Sequence, residues 1–372
     1  MVRLWLKNDP GAVIITTVDT QVVQLRKLLD SIGDPRISLY SIDAPSARRQ
    51  YYESIRRVKT TFFVATDDRT RWSPSALDAI LAPFQDPKVA GVTGLQGVEP
   101  ADGGRVGVWE SFGALNLARR NVQHSALSHF HAGQVLNLSG RLSAYRAAVF
   151  DEPGFGDTFL NELWLGLFPL RTGDDNFLTA WLVRRGWRTR FQNAPGARVA
   201  AGTCRDAMYL RQLLRWLRDT TRCYLSDLAF ALRARGWGHL VRSSSNLIVY
   251  FITDFATLLE VGFLLLVLIS RAEPNWEDTA LRFEIPWTHI WLCCVYCYAP
   301  LTRISVRTGL GHLLCEHSVV SSALTVFEHL PFFSTPASLL FLPTTILYLY
   351  IRAGVALFSW VTLHKASPGI LG

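Results

Sequence analysis

The chain has 372 residues, of which 18% are charged and 49% hydrophobic, and its formal net charge is +8. That length gives room for one large or two medium domains. The positive balance would suit nucleic acid, but the arginines lie beside long apolar runs, where a membrane protein needs them, so no nucleic-acid partner is expected. The six cysteines outline no disulfide framework. Cys293, Cys294 and Cys297 fall inside one apolar run without further metal ligands, and read as small packing residues.

From the N-terminus, Ala12–Thr16 reads as a strand and Gln21–Ser31 as a helix with leucine and valine at three- and four-residue spacing. A second strand, Ile37–Ile42, ends at Asp43. A helix through Arg48–Arg57 leads to the strand Thr61–Ala65, which delivers Asp67 and Asp68. This alternation predicts an α/β fold, a parallel sheet with helices on its faces. Ligands of such sheets bind beyond the carboxyl ends of the strands. Thr16, Thr17, Asp43 and Asp67 all stand at such ends, which favours a nucleotide pocket over unrelated caps. Asp67-Asp68 itself reads as a catalytic pair, as a damaged one, or as the polar cap of a strand.

Further on, the Ser139-Gly140 turn precedes another apolar strand, and glycine there lets the backbone approach a ligand. Asn137-Leu-Ser139 is a formal glycosylation sequon, which a cytosolic domain would never present to the modifying enzyme. Gly173-Asp174-Asp175 precedes a helix with apolar residues at 177, 178, 181 and 182. Taken alone, the two acids are first-turn capping residues, worth about 1 kcal/mol. In the segment Asp206–Arg222, Arg211, Arg215, Arg218 and Arg222 form one narrow helical stripe, with Gln212 and Trp216 one turn apart beside it. A basic amphipathic helix ahead of an apolar run suits a membrane surface, its arginines facing lipid phosphates. That reading leaves the Gln212/Trp216 pair unexplained.

Three apolar runs follow: Asn246–Ser270, Trp287–Leu301 and Ala337–Leu363. They predict two to four spans or re-entrant segments. Arg233, Arg235 and Arg242 precede the first run, and Arg303 and Arg307 follow the second. The loop between them is acidic, so the N-terminal domain is expected in the cytosol. No signal peptide precedes Arg3, in keeping with that orientation. The expected organisation is a cytosolic catalytic domain over 1–203, interfacial amphipathic helices over 204–245 and a membrane domain over 246–372. The protein is expected to be integral to the plasma membrane or an endomembrane.

The ordered series decides more than any one motif. Asp67, then Gly173-Asp174-Asp175 about a hundred residues later, then Gln212-Leu-Leu-Arg215-Trp216 resembles the D, D-x-D, (T/G)-(E/D)-D, Q-x-x-R-W series of processive glycosyltransferases of family 2. Cellulose, chitin and hyaluronan synthases form that group. Asp67 through Trp72-Ser-Pro74, Leu-Ser-Gly-Arg at 138–141 and Gly-Asp-Asp-x-Phe-Leu-Thr at 173–179 are similar to fungal type 3 capsule synthase-like proteins. The resemblance covers roughly residues 10–260. It implies a GT-A fold followed by an all-α membrane domain, a UDP-sugar donor and a divalent cation, Mg²⁺ or Mn²⁺. Residue by residue, it implies that Asp43 contacts the uridine, that Arg48 and Arg49 lie near the donor, and that Asp67 holds the metal with Asp68 beside it. It further implies that Asp175, with Asp174, supplies the general base, that Gly140 borders the substrate, and that Gln212, Arg215 and Trp216 line the pocket, Arg215 facing diphosphate and Trp216 stacking on the acceptor sugar.

The chemistry asks for these residue types. An inverting transfer needs one carboxylate to take the proton of the attacking hydroxyl. The departing diphosphate gains charge that a cation and an arginine stabilise. Arg69 departs from the pattern, because a guanidinium stands where the second carboxylate of D-x-D belongs and cannot ligate a metal. Relatives also usually carry membrane spans ahead of the first strand, which this chain reaches by Ala12. The expected activity is transfer of a hexose to a growing cell-wall or capsule-like polysaccharide. The rival readings are a ceramide-type lipid glycosyltransferase and a catalytically inactive membrane scaffold.

Overall fold

The structure is a computed structural model that describes residues 1–98, 107–130, 134–234, 236–248, 250 and 342–365. After a short helix α1 (Val2–Leu6), the β-branched run Val13–Val18 forms strand β1. It pairs in parallel with β2 (Ile37–Ile42), in register from Val13 opposite Ile37 to Val18 opposite Ile42. Between them lies α2 (Asp19–Asp30), which opens with an acid in its first turn. Helix α3 (Ala47–Ile55) is capped by Ser46, whose Oγ accepts from Arg49 N at 3.3 Å.

The central sheet has four strands in the order β10-β5-β7-β3, with β3 at Phe62–Ala65, β5 at Val89–Gly94, β7 at Ser143–Arg146 and β10 at Arg188–Gln192. β10 and β5 are parallel, but β7 runs antiparallel to both β5 and β3. The expectation of a purely parallel sheet is therefore corrected to a mixed one. The chain enters β7 from the long helix α5 (Val108–Phe130) rather than by a crossover returning in the same direction. One consequence positions the site: the start of β7 abuts the end of β3, Ser143 opposite Ala65. A smaller sheet joins β4 (Thr70–Trp72), β11 (Val199–Ala201) and β6 (Gln96–Val98), and β8 (Leu163–Trp164) pairs with β9 (Phe168–Pro169).

Apolar burial covers both faces of the central sheet. On one side Tyr145 and Ala90 pack with Ile55 of α3, Phe155 and Phe159 of α6 (Phe155–Leu160), and Leu178 and Leu182 of α7 (Asp174–Arg184). On the other, Val92 and Ala144 meet Ile80 of α4 (Ala76–Leu81). A third cluster joins α5 to α8 (Met208–Ala234) and α9 (Leu342–Val361) through Phe112, Tyr209, Leu213, Tyr348 and Ala356.

Helix α9 falls within the third apolar run, yet one face of it is packed on protein. Tyr348 Oη donates to Asn116 Oδ1 at 2.9 Å, and Arg352 Nη1 donates to the same oxygen at 3.2 Å. Its other face leaves Leu347, Leu357, Phe358 and Val361 exposed. Among the described residues no helix is long and apolar enough to cross a membrane. The second run and all of the first beyond residue 250 lie outside the described residues, as do Cys293, Cys294 and Cys297.

The stripe on α8 also differs from expectation. Arg218 donates to Thr362 Oγ1 at 2.7 Å, and Arg222 donates to the carbonyl of Leu363 at 2.7 Å and to that of Lys365. Both arginines are buried. They satisfy backbone and hydroxyl acceptors just past the C-terminus of α9, whose last carbonyls attract cations, rather than facing lipid phosphates.

Candidate functional site

The site grows from the meeting of β3 and β7. Past Ala65 the chain makes a tight turn over Asp67–Thr70, closed by Thr70 N donating to Asp67 O at 3.2 Å. Asp68 and Arg69 occupy the two corners of that turn and are exposed. Thr66 Oγ1 donates to Arg141 O at 2.9 Å, tying the turn to the segment before β7. Gly140 lies alongside, where a β-carbon would stand 3.6 Å from Asp67 Oδ1. A side chain there would take up space beside the carboxylate.

The second wall is the start of α7. Gly173 takes φ +75°, a conformation that favours glycine, and turns the chain into the helix at Asp174. The Asp175 carboxylate accepts from Asn176 N at 2.8 Å and from Asn137 Nδ2 at 3.3 Å. Behind it, Thr179 Oγ1 donates to Asp175 O at 2.7 Å and accepts from Leu138 N at 2.8 Å. Asp219 of α8 accepts from Thr172 Oγ1 at 3.0 Å, so α8 holds the residue just ahead of the turn.

Charge accumulates here. Asp67 keeps an exposed surface, yet its carboxylate lies beside Gly140 and is crowded by protein. That desolvation, aided by Asp174 and Asp68, pushes its carboxyl above the usual range, while Arg141 and Arg215 act the other way. Asp175 is pushed up to about 7, first by burial and then by the charge of Asp174; Asn176 N–H and Arg215 oppose the rise. Burial raises Asp219 to about 6. Arg141 and Arg215 thus each act on both Asp67 and Asp175. Arg141 Nη1 donates to Gln96 Oε1 at 3.3 Å, and its guanidinium lies 5.3 Å from the centre of the Trp216 ring. Arg215 Nε is buried and has no hydrogen-bond partner, an orphaned donor of the kind an anionic ligand satisfies.

The fold therefore gathers Asp67, Asp68, Gly140, Asp174, Asp175, Arg215 and Trp216 into one neighbourhood around Arg141. Gln212 lies one turn earlier on α8 and accepts from Cys204 Sγ at 3.5 Å, a thiol on which the charge of Arg69 also acts. Asp43 and Arg49 stand apart at the end of β2 as an exposed ion pair of 2.5 Å, which holds the Asp43 carboxyl below its usual range. Tyr51 on α3 reaches the acidic cluster instead, its buried hydroxyl feeling Tyr145, Asp174 and Asp67.

Arg48 is not with them. It is buried, with Nη1 donating to Phe159 O at 2.7 Å and Nη2 to Glu162 Oε2 at 2.6 Å and Thr172 O at 2.9 Å. Its guanidinium also lies 5.2 Å from the Phe159 ring centre. The expectation that Arg48 meets the donor is corrected: it is an internal tie that fixes the backbone entering Gly173. Arg48→Leu is expected to cost about 3–5 kcal/mol, the range for breaking a buried charge pair, measured by urea unfolding. A donor ligand would instead lose UDP affinity at unchanged stability.

Among the described residues no three His, Cys, Asp or Glu side chains are grouped to hold a metal ion by themselves. The donor set nonetheless fits a cation shared with phosphate, because Mg²⁺ needs only one or two carboxylates when phosphates complete its shell. Asp67 offers a carboxylate with two more acids, Asp68 and Asp174, close enough to act on it.

Sequence reasoning missed Arg141, Asn137 and Asp219. Arg141 stood within the Leu-Ser-Gly-Arg string, and the antiparallel entry of β7 brings it to Asp67. Asn137 stood only within a formal sequon, which gave it no role in the site.

The family described as glycosyltransferase like family 2 matches residues 3–219. A type 2 glycosyltransferase of Zymoseptoria tritici is 29% identical over 291 residues, covering 78% of this chain and 60% of that one. Another, of Gibberella zeae, is 26% identical over an alignment of 374 residues, covering 98% and 63%. An NDP-glycosyltransferase of Aspergillus luteorubrus is 29% identical over 232 residues, covering 60% and 56%. The chain thus spans less than two thirds of the length of these relatives.

Proposed function

This chain belongs to glycosyltransferase-like family 2, and on that premise we propose that it is an inverting, membrane-bound transferase that moves a hexose from a UDP-sugar to a growing polysaccharide. The observation that carries the reading is the cluster itself: Asp67 and Asp175 with Arg141 and Arg215 acting on both, and an orphaned donor on Arg215 Nε. A site for diphosphate and for proton abstraction needs that combination.

In this reading Asp43 and Arg49 meet the nucleoside end of the donor, and the diphosphate lies over Gly140 toward Asp67. Arg215 and Arg141 offset the charge that develops on UDP as the glycosidic bond breaks. Asp175, with Asp174 beside it, takes the proton of the acceptor hydroxyl as its oxygen attacks the anomeric carbon from the opposite face. Trp216 offers an aromatic face to the acceptor sugar, and Gln212 lines the same pocket. A Mg²⁺ or Mn²⁺ ion held by Asp67, with Asp68 at hand, supplies further charge stabilisation to the diphosphate when bound.

Membrane attachment is supported by the apolar runs and by exposed Trp237, Val241, Leu357 and Phe358. The arginine pattern supports a cytosolic catalytic domain. In sealed vesicles of cytosol-out orientation, added protease is expected to cut residues 1–203; protection of that region refutes the orientation. The activity is tested by incubating membranes containing the chain with labelled UDP-sugars and sizing the product. Long polymer is the expected product. A labelled lipid supports ceramide-type transfer, and no product with no UDP binding supports an inactive scaffold.

A further inference from the structure

Behind the candidate base lies a chain of polar side chains that the proposed reaction does not use. Asn137 Nδ2 donates to Asp175 Oδ2 at 3.3 Å, and Asn137 Oδ1 stands 3.1 Å from His124 Nε2. His124 lies on α5 and is almost wholly buried, its ring 5.5 Å from that of Phe191. Arg120, one turn earlier on α5, donates to the backbone carbonyl of Asn137 at 3.4 Å. We propose that Asn137, oriented by His124, is a positioning residue that aims the Asp175 carboxylate at the acceptor hydroxyl.

The donor and acceptor roles follow from the chemistry. An ionised carboxylate only accepts, so the amide nitrogen of Asn137 must face Asp175 and its oxygen must face His124. That oxygen then needs a donor, which fixes the proton of the imidazole on Nε2. Burial, first, and then the neighbouring Arg120 hold His124 well below its ordinary value, so the ring is neutral and can carry that one proton. The arrangement resembles in logic a base whose rotamer is set by a second group bonded on its far side. It also gives the half-buried Asn137 side chain a role within the fold.

This inference rests on the reading of Asp175 as the base, and the test separates the two. The charged or titratable groups that act on Asp175 are Asp174, Asp219 and Arg215 from α7 and α8, Arg120 from α5, and Arg141 and Tyr145 from β7 and its approach. None of them is altered by the variants used. The 372-residue chain in detergent is titrated by infrared difference spectroscopy, with Asp175→Asn assigning the carboxyl band. UDP release from UDP-glucose and UDP-N-acetylglucosamine is followed across pH. Asn137→Ala is expected to move the Asp175 titration and the acid limb of turnover upward by about one unit, the size expected for one lost hydrogen bond to a carboxylate. Maximal turnover should fall about tenfold or more, with donor KM unchanged. His124→Phe should act in the same direction, and His124→Gln, which keeps an amide donor, should restore the wild-type profile. An unmoved titration in Asn137→Ala, or a change in donor KM alone, overturns the proposal. Full UDP release by Asp175→Asn overturns the reading of the base instead. If neither sugar nucleotide is turned over, the infrared titration decides alone.

Discussion

Asp175→Asn is expected to lower transfer by about 10²–10⁴-fold, the contribution usual for a positioned base, while UDP binds almost as before. The amide keeps the shape of the carboxyl and can still face Asn176 N, but it cannot take a proton. The wild-type rate should also fall as pH drops below about 7, where Asp175 becomes protonated. The same shift has a consequence for stability. Because the folded carboxyl titrates above its unfolded value of about 3.9, its favourable contribution is complete below that value and lost as pH rises through about 7. Above that, the fold carries a desolvated charge pressed against Asp174. Asp175→Asn should therefore melt a few degrees higher than wild type at pH 8, and the gap should close below pH 4. An active site that is less stable for holding its base is a familiar compromise. Turnover within about tenfold of wild type removes Asp175 as the base, and a lower melting temperature at pH 8 contradicts the origin of the shift.

Where the sequence was legible, the signal was local. Strand β2 runs over Ile37–Ile42 as its apolar pattern indicates, and Gly173-Asp174-Asp175 opens α7 because glycine supplies the left-handed turn and acids suit a first turn. The residues that misled have partners far away in the chain. Arg48 sits in a basic pair near a strand end, which looks like a ligand, but its acceptors Phe159 O and Thr172 O lie 111 and 124 residues on. Arg218 and Arg222 form part of a regular stripe, yet their acceptors lie beyond α9, 144 and 141 residues later. Helical periodicity shows which residues share a face and says nothing of what covers it. The direction of β7 was hidden for the same reason. A strand of four residues carries no mark of its sense, and that sense is what brings Arg141 and Gly140 to Asp67.

The turn Asp67–Thr70 yields the sharpest remaining prediction, because it holds both the candidate ligand and the departure from the family pattern. Asp67 lies just past the end of β3 beside Gly140, and Arg69 stands at a corner of the turn, two residues on. If the cation is held by Asp67 and by the donor's own phosphates, Mn²⁺ should bind weakly to the chain alone and far more tightly with UDP present. Asp67→Ala should then abolish metal-dependent UDP binding while leaving the fold intact, since the side chain donates and accepts nothing that closes the turn; that bond runs through its backbone carbonyl. Arg69→Asp restores the D-x-D spacing, adds a hard oxygen ligand and removes a positive charge. It should tighten Mn²⁺ in the absence of UDP, whatever it does to turnover. Calorimetric titration of Mn²⁺, with and without UDP, on wild type and both variants separates these outcomes. UDP that binds wild type equally well in chelator, and binds Asp67→Ala equally well, would make Asp67-Asp68 the polar end of a strand. The diphosphate would then be left to Arg141 and Arg215.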